Sequence, residues 1–529
     1  MSDNYFLGVD VGSASVRAAL FNATGERLGC ASRPISQFHA SGERVEQSST
    51  EIWQALCAAV REAVGASGVP VEAIRAIGFD ATCSLVALDA HGHGVAVSPG
   101  GEPSHDIIMW MDHRALKQAQ QINASQDPAL RYVGGEVSVE MALPKLLWLK
   151  QQHPTAWQRT HRFWDLADFL VWQATGVEVA SLCTLTCKWN YLAHEGRFSD
   201  SLLAAADLAD LRDKLPARVA EVATAAGTLS AQAAEALGLT TRTTVATGMI
   251  DAHAGGVALA GAEPEGTLAL ISGTSNCLML ASRHEIHTPG VWGPYWGAML
   301  PEYWLAEGGQ SAAGALVEWT LGEHHASAGL FAQAKQQGCH PVEIANQWVA
   351  QLEQAQPCPT AHLHVLADHH GNRSPRSRPD ARGSVCGLTL ERGEQALARL
   401  YLATLQAIAY GTRHIIEALE AQGHRPQRIA LCGGARHNPL WLREYADATQ
   451  RDLHLIAEEE AVALGAAICG AVAANVWPDI ATAARALVRP GTVIRHRPAT
   501  LPFHQRKYRV YLAMWEQQQA LEALMQQEA

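Results

Sequence analysis

Two short stretches of the chain carry the same hydrophobic pattern, one near the start of each half. Residues 5–21, YFLGVDVGSASVRAALF, read as a strand, a tight turn and a second strand. Residues 5–9 are uniformly apolar, as in a strand covered on both faces. Asp10 ends that run, and Gly12-Ser13-Ala14-Ser15 make the turn. The pattern returns from Thr267 to Ile271, an apolar strand running into Ser272-Gly273-Thr274-Ser275-Asn276. Taken singly, the first stretch is equally an ordinary hairpin with an exposed aspartate, and the second copy is what favours a shared purpose. Turns without bulky side chains let backbone N–H groups close around a phosphate.

Helical and strand periods alternate elsewhere. Glu51 to Val64 is an amphipathic helix with Ile52, Leu56, Ala59, Val60 and Ala63 on one face. Ala76 to Phe79 begins a strand that runs into Asp80-Ala81-Thr82-Cys83-Ser84-Leu85-Val86. Polar groups ending a buried strand suit a ligand, although Thr82 and Ser84 equally suit local backbone groups. Ile107 to Ala115 changes abruptly from apolar residues to Trp110, Asp112, His113 and Arg114, which suits either a polyhydroxy ligand or a solvated strand end. Pro144 to Leu149 starts a helix with proline near its first turn. In the second half, Trp304 to Ser311 ends a strand and opens a helix at 311–321, and Leu397 to Leu419 is a long amphipathic helix. Arg428 to Cys432 is a strand ending in Gly433-Gly434, followed by a helix from Leu440, a further strand from Asp452 to Ile456 and an Ala-rich helix from Glu460. A glycine pair between strand and helix lets the helix N-terminus approach a nucleotide.

At 529 residues the chain exceeds one core and divides at the Ala262-Glu263-Pro264-Glu265-Gly266 linker, giving domains over 1–265 and 266–529. Its formal charge of −12, with no basic stripe, argues against a nucleic-acid or acidic-membrane partner. The longest uncharged run, Ala461 to Trp477, falls short of a membrane span and reads as a buried helix. No basic and apolar leader opens the chain, and its 11 cysteines include no C-x-x-C pair, so reduced thiols, a cytoplasmic location and no zinc site are expected. The loop over 361–383 holds His362, His364, His369 and His370 without zinc-finger spacing and is expected to cover an edge of a cleft.

Chemistry narrows the picture further. No lysine follows a glycine, so a G-x-x-x-x-G-K-[ST] loop is absent, and the protein-kinase motifs are absent too. A phosphoryl-transfer enzyme of this composition would hold its nucleotide by Gly/Ser/Thr turns and a metal, and the turns at 12–15, 272–275 and 433–434 are that inventory. It also needs a base, because an alcohol proton must leave as the phosphorus bond forms. Asp251, among Gly248, Ala252, Gly255 and Gly256, has room beside it for substrate and phosphate, and it could also cap a helix. Lys188 is one of only seven lysines and sits among apolar and aromatic neighbours, so it either pairs with a core acid or binds substrate. Glu307 could accept hydrogen bonds from hydroxyls or serve as an early helix charge.

Taken together, GVDVGSASVRAALF, WMDHRA, PKLLWL, GMIDAHAG, LALISGTSNCLML, AEGGQSAAGA and LCGGARHNP, in this order over roughly residues 5–490, resemble the FGGY family of carbohydrate kinases. The resemblance implies an α/β fold of two actin-like, ribonuclease-H-like domains with an active-site cleft between them, holding ATP and Mg²⁺, and a homodimer. It implies Asp251 as catalytic base, Asp10 beside the metal (directly or through water) and Asp251 on its other side. It further implies a nucleotide site of Gly12, Ser13, Ser15, Arg17, Gly273, Thr274, Ser275, Gly433, Gly434 and Asn438. TCSLV at 82–86, WMDHRA at 110–115, TCKWNY and HGNRSP at 370–375 are similar to the ribulokinase branch, TCSLV most to the D-ribulose kinases. That implies a ketopentose pocket of Ala81, Thr82, Cys83, Trp110, Asp112, His113, Lys188, Asp251 and Glu307. Ala142 departs from the family's Ser, Thr or Pro three residues before its helix lysine, and the stretch at Gly387-Leu388 fits loosely; neither touches the chemistry. Rival readings are a kinase of L-ribulose, xylulose or another polyol such as glycerol, and an actin-fold ATP-binding module that transfers nothing. The presence of Asp251, Lys188 and Glu307 argues against the second.

Overall fold

The computed structural model describes residues 4–39 and 43–526. The first half contributes β1 (Tyr5–Val11), β2 (Ser15–Asn22), β3 (Arg27–Pro34), α1 (Ser49–Ser67), β4 (Ile74–Ala81), β5 (Ala225–Thr228), β6 (Thr244–Ala246), β7 (Met249–Ile250) and α2 (Asp251–Ala260). The second contributes β8 (Thr267–Ser272), β9 (Asn276–Ser282), β10 (Trp292–Trp296), β11 (Trp304–Gln310), α3 (Glu394–Ala421), β12 (Arg428–Cys432), α4 (Pro439–Thr449), β13 (Leu453–Ile456), α5 (Ala461–Ala473) and β14 (Pro490–Ile494). One sheet runs β5-β6-β4-β1-β2-β3 with β7 alongside β4, and the other runs β10-β11-β9-β8-β12-β13-β14.

The same plan underlies both sheets. β1, β2 and β3 are antiparallel while β4 and β6 join in parallel. β8, β9 and β11 are antiparallel while β12 and β13 join in parallel. This is the actin-like, ribonuclease-H-like arrangement, present twice. The two repeated sequence stretches are the β1–β2 and β8–β9 hairpins, closed by Gly12 N donating to Ser15 O at 3.0 Å and Gly273 N to Ser275 O at 2.9 Å. Two short strands before α1, Phe38–His39 and Val45–Gln47, and three between β4 and β5 form a further five-stranded sheet. Several helices also lie between β4 and β5, among them Leu182–Lys188, which carries Lys188.

The elements that sequence periodicity names are present, with particular ends displaced. α1 starts at Ser49 because the Ser48 hydroxyl caps Glu51 N, and Gly68 stops it at φ 68°. The helix expected at 311–321 spans Gly314–Glu323, and the long amphipathic one extends to Glu394–Ala421. The 361–383 loop opens with a strand, His364–Leu366, paired with Ser384–Cys386. The uncharged run from Ala461 is helical only to Ala473, and it packs on the first sheet. A Cβ on Gly8 would stand 1.7 Å from Ala463 O, one on Gly78 2.0 Å from Ala466 O, and one on Gly465 1.7 Å from Ala254 O. Glycine is required at these positions by backbone-to-backbone contact. Ala463, Leu464 and Ala467 thereby join Phe6 and Ala76 in one core, so a second-half helix closes the first-half sheet.

The last helix, Leu501–Gln526, is anchored by buried Lys507, whose Nζ donates to Thr360 O at 2.9 Å and Leu363 O at 2.5 Å. Burial lowers this amine to about 7. The unfolded chain then binds one more proton between pH 7 and the ordinary value of 10.5, so stability rises with pH across that window. The slope contributed is up to about 1.4 kcal/mol per pH unit. Urea unfolding of wild type and Lys507→Met at several pH values should show that slope in the first and its loss in the second. Among the described residues no helix is long and apolar enough to cross a membrane.

Candidate active site

Three aspartates converge where α2 begins. Asp10 on β1 lies directly beside Asp80 on β4 in parallel register, and Met249, two residues before Asp251, lies on the other side of Asp80. Asp80 is fully buried, and among the described residues neither carboxylate oxygen has a hydrogen-bond partner. Burial, then the charges of Asp10 and Asp251, push it far above the usual carboxylate range. Asp10 is raised to about 7 by burial and by Asp251. Asp251 is the first residue of α2, not its cap, and its Oδ1 accepts from Ala252 N at 2.7 Å. Burial raises its pKa, while His253 and Lys188 pull it down. Arg17 stands across the hairpin from Asp10, with Nη1 3.9 Å from Asp10 Oδ2 and 3.7 Å from Glu460 Oε2.

On the other side of Asp251 lies a buried cluster of charges around Glu307 on β11. Arg373 Nη2 donates to Glu307 Oε1 at 2.6 Å, Lys188 Nζ lies 3.7 Å from the same oxygen, and His253 Nε2 lies 3.2 Å from Oε2. The Trp292 ring underlies both cations, 3.8 Å from Arg373 Cζ and 4.5 Å from Lys188 Nζ. Burial alone would raise Glu307, but Lys188, His253 and Arg373 hold it far below the usual carboxylate range. Glu307 in turn raises Lys188 against its burial. Lys188 therefore does pair with a core acid, one of the two alternatives open to it from sequence. Its position beside Asp251 keeps it at the cleft as well.

The remaining expected sugar contacts are divided. Trp110 Nε1 donates to Ser13 Oγ at 2.9 Å, tying the WMDHRA segment to the first glycine turn. Lys145 Nζ fixes that segment by donating to Met109 O at 2.8 Å and Trp110 O at 2.9 Å. Asp112 differs from expectation. Its Oδ2 accepts from Val45 N at 2.7 Å and Arg114 Nη2 at 2.7 Å, and its Oδ1 from Arg114 N at 3.0 Å and Nε at 2.9 Å. Both oxygens are engaged within the protein, by Arg114 of the same segment and by Val45 from a strand before α1, so Asp112 braces this segment. His113 pairs toward Glu43, 3.9 Å away at the exposed edge. Thr82 Oγ1 and Ser84 Oγ lie 3.1 Å apart, and Ser84 Oγ accepts from Trp110 N at 3.2 Å, so these hydroxyls do serve local groups. Ala81 is buried at the end of β4, and burial pushes the neighbouring Cys83 thiol up to about 12.

The glycine turns also differ from one another. A Cβ on Gly12 would meet only Ser15 O at 3.6 Å, and one on Gly273 only Ser275 O at 4.0 Å. The protein leaves open space at both, together with the flanking Ser13, Ser15, Thr274 and Ser275. Gly433 is different: φ is 91° and a Cβ would lie 2.5 Å from Ser272 O, so the fold itself requires glycine where this turn abuts the second hairpin. At Gly434 only Ser272 O lies within reach, at 4.0 Å. Asn438, expected at the nucleotide, is also tied into the fold. Its Oδ1 caps α4 at Trp441 N, 3.2 Å away, and also accepts from Asn346 Nδ2, while its Nδ2 donates to Tyr401 OH at 2.8 Å.

Sequence reasoning missed Asp80, His253, Trp292 and Arg373 as site residues. His253 lies two positions after Asp251 and Asp80 one before Ala81, so neighbourhood was their only signal. Arg373 lay within the quoted HGNRSP string.

The FGGY family of carbohydrate kinases, N-terminal domain, matches residues 5–258, and its C-terminal domain matches residues 268–474. The chain is 44% identical to an FGGY carbohydrate kinase domain-containing protein of Danio rerio, across 99% of this chain and 100% of that one. It is 36% identical to a D-ribulokinase of Saccharomyces cerevisiae, across 89% of this chain and 72% of the other. In fold it is similar to the xylulose kinase of Rhodospirillum rubrum, with a TM-score of 0.82 at 23% identity over 98% of this chain and 99% of that one. Two repeats of one sheet plan and family matches over both halves lead to one conclusion: the chain belongs to the FGGY family of carbohydrate kinases.

Proposed function

We propose that this carbohydrate kinase transfers the γ-phosphoryl group of ATP to the terminal hydroxyl of a ketopentose, D-ribulose at O5 foremost. The observation that carries the reading is the setting of Asp251. It stands between a buried acidic pair, Asp10 and Asp80, and a buried polar cluster of Lys188, Glu307, His253 and Arg373. The first suits a cation on polyphosphate, and the second suits a polyhydroxy carbonyl compound. Kinases of this family are ATP-dependent, and the relative in Saccharomyces cerevisiae is a D-ribulokinase.

In this reading Asp251 takes the proton of the attacking hydroxyl, and burial that raises its pKa makes it a better acceptor. Lys188 donates to the sugar, held in place by Glu307, whose Oε2 retains lone-pair capacity for one hydroxyl. Arg373 stands on Trp292 beside it. Gly12, Ser13 and Ser15 from the first half, and Gly273, Thr274 and Ser275 from the second, receive the phosphates in the space where no side chain stands. Gly433 and Gly434 lie next to the second of these turns, on the adenosine side, and Arg17 reaches over the first. The first domain, over 1–265, contributes the base, the first phosphate loop and most of the sugar site; the second, over 266–529, contributes the second phosphate loop, the adenosine site and Glu307 and Arg373 beside the sugar.

The donor set also fits Mg²⁺. An all-oxygen group with two unpartnered buried carboxylate oxygens on Asp80 suits a hard cation. Asp10 and Asp251 would hold the ion, directly or through water. Bound there, it would neutralise charge on the phosphate oxygens. Closure of the two domains would exclude water and limit ATP hydrolysis.

The test is ADP release with D-ribulose, L-ribulose, D-xylulose, ribitol and glycerol offered in parallel. A kcat/KM for D-ribulose at least about tenfold above the others, or about 1.4 kcal/mol of transition-state preference, is expected. A higher value for L-ribulose or xylulose reassigns the sugar within the same chemistry. ADP release that ignores every sugar overturns the reading.

A further inference from the structure

Next to the Glu307 cluster, two thiols converge on one imidazole. Cys183 Sγ lies 3.1 Å and Cys187 Sγ 3.7 Å from His253 Nδ1. All three residues are fully buried. The other nitrogen, Nε2, faces Glu307 Oε2 at 3.2 Å. A Cys187 sulfur, a His253 nitrogen and a Glu307 oxygen lie within 4.8 Å of one another. The two cysteines occupy one face of the helix Leu182–Lys188, four residues apart, where helical geometry stacks side chains.

We infer that Cys183, Cys187 and His253 form a binding site for a thiophilic divalent cation, zinc above all. Three features carry this. Tetrahedral zinc with Zn–S near 2.3 Å and Zn–N near 2.0–2.1 Å separates sulfur from nitrogen by about 3.6 Å. The two separations here, 3.1 and 3.7 Å, bracket that value, so the side chains need to move only a few tenths of an ångström. The carboxylate on Nε2 is the outer partner that fixes a metal-binding histidine, leaving Nδ1 to face the metal. Two thiolates also cancel the dication, so the occupied site adds no net charge to a buried region.

Sulfur and nitrogen donors select zinc over Mg²⁺, whereas the all-oxygen aspartate group does the reverse. The chain thus presents a hard and a soft cation site, linked through α2, which carries both Asp251 and His253. The soft site joins the helix that ends in Lys188 to α2, which begins at Asp251, and through Glu307 to β11 of the second half. Zinc held there cross-links the elements that bear the pocket. The inference rests on these three side chains and stands whichever sugar the enzyme takes.

The experiment uses the full-length protein, reduced with a non-thiol reductant and freed of metal. Titration with Co²⁺ should give one equivalent of a thiolate-to-cobalt charge-transfer band, which Zn²⁺ then bleaches. Cys183→Ser and Cys187→Ser should each weaken binding at least tenfold and diminish the band, and Cys57→Ser, on α1, should leave it unchanged. X-ray absorption of the zinc-loaded wild type answers the same question without any variant. A shell with two sulfurs is expected. A shell of nitrogen and oxygen alone, a band that persists in the Cys183 and Cys187 variants, or no binding by the wild type would each overturn the assignment.

Discussion

Replacing Asp251 by asparagine is expected to lower kcat by about 10²- to 10⁴-fold, the range supplied by a positioned general base, while ATP binding persists. Asparagine has nearly the same volume and keeps an oxygen that can accept from Ala252 N, the one side-chain hydrogen bond Asp251 makes among the described residues. A role limited to starting α2 would therefore survive the change, and activity would remain near wild type. What asparagine cannot do is take the hydroxyl proton. Steady-state turnover with sugar and calorimetric binding of ATP, each measured with and without Mg²⁺, separate these roles. Wild-type turnover in Asp251→Asn would remove the base from the mechanism. Loss of nucleotide binding only when Mg²⁺ is present would instead assign the residue chiefly to the cation.

The second large effect is expected at Glu307. This buried carboxylate faces Arg373, Lys188 and His253, so Glu307→Gln leaves buried cations without their counter-charge. Removing one partner from a buried ion network costs about 3–5 kcal/mol. Both readouts should move: the urea midpoint should fall by that stability, and kcat/KM for the sugar should fall while KM for ATP changes little. The pairing with Arg373 supplies the control. Glu307→Gln combined with Arg373→Met should cost less than the sum of the two single changes, because the double variant no longer strands the guanidinium. Strict additivity, or a single variant within about 0.5 kcal/mol of wild type, would mean that the network is not what holds the pocket.

The chain's own pattern determined much of this protein. Runs of apolar residues at strand period, broken by small polar turns, were enough to place β1, β2, β8, β9 and β12, and helical periodicity placed α1 and α3, because local hydrophobic periodicity reflects which face is buried. The repeat of GVDVGSAS in LISGTSN marked the two hairpins that the sheets later showed in equivalent places. The isolated acid of GMIDAHAG marked the start of α2.

Other features existed only after folding. α5 follows the second-half strands in sequence but closes the first sheet, since Gly8 and Gly78 let its backbone approach and no local signal records that distance. Sequence displays the chemistry of Asp112 and Asn438 and not their partners; in the fold Arg114 and Val45 hydrogen-bond the first, and Trp441, Asn346 and Tyr401 the second. Cys187 and His253 stand 66 residues apart, a spacing that matches no metal motif, and their meeting at one nitrogen depends on the packing of two helices. Local periodicity is written in neighbouring residues and can be read from them. Hydrogen-bond satisfaction and the meeting of distant side chains depend on the whole chain's packing, so the tertiary structure alone decided them.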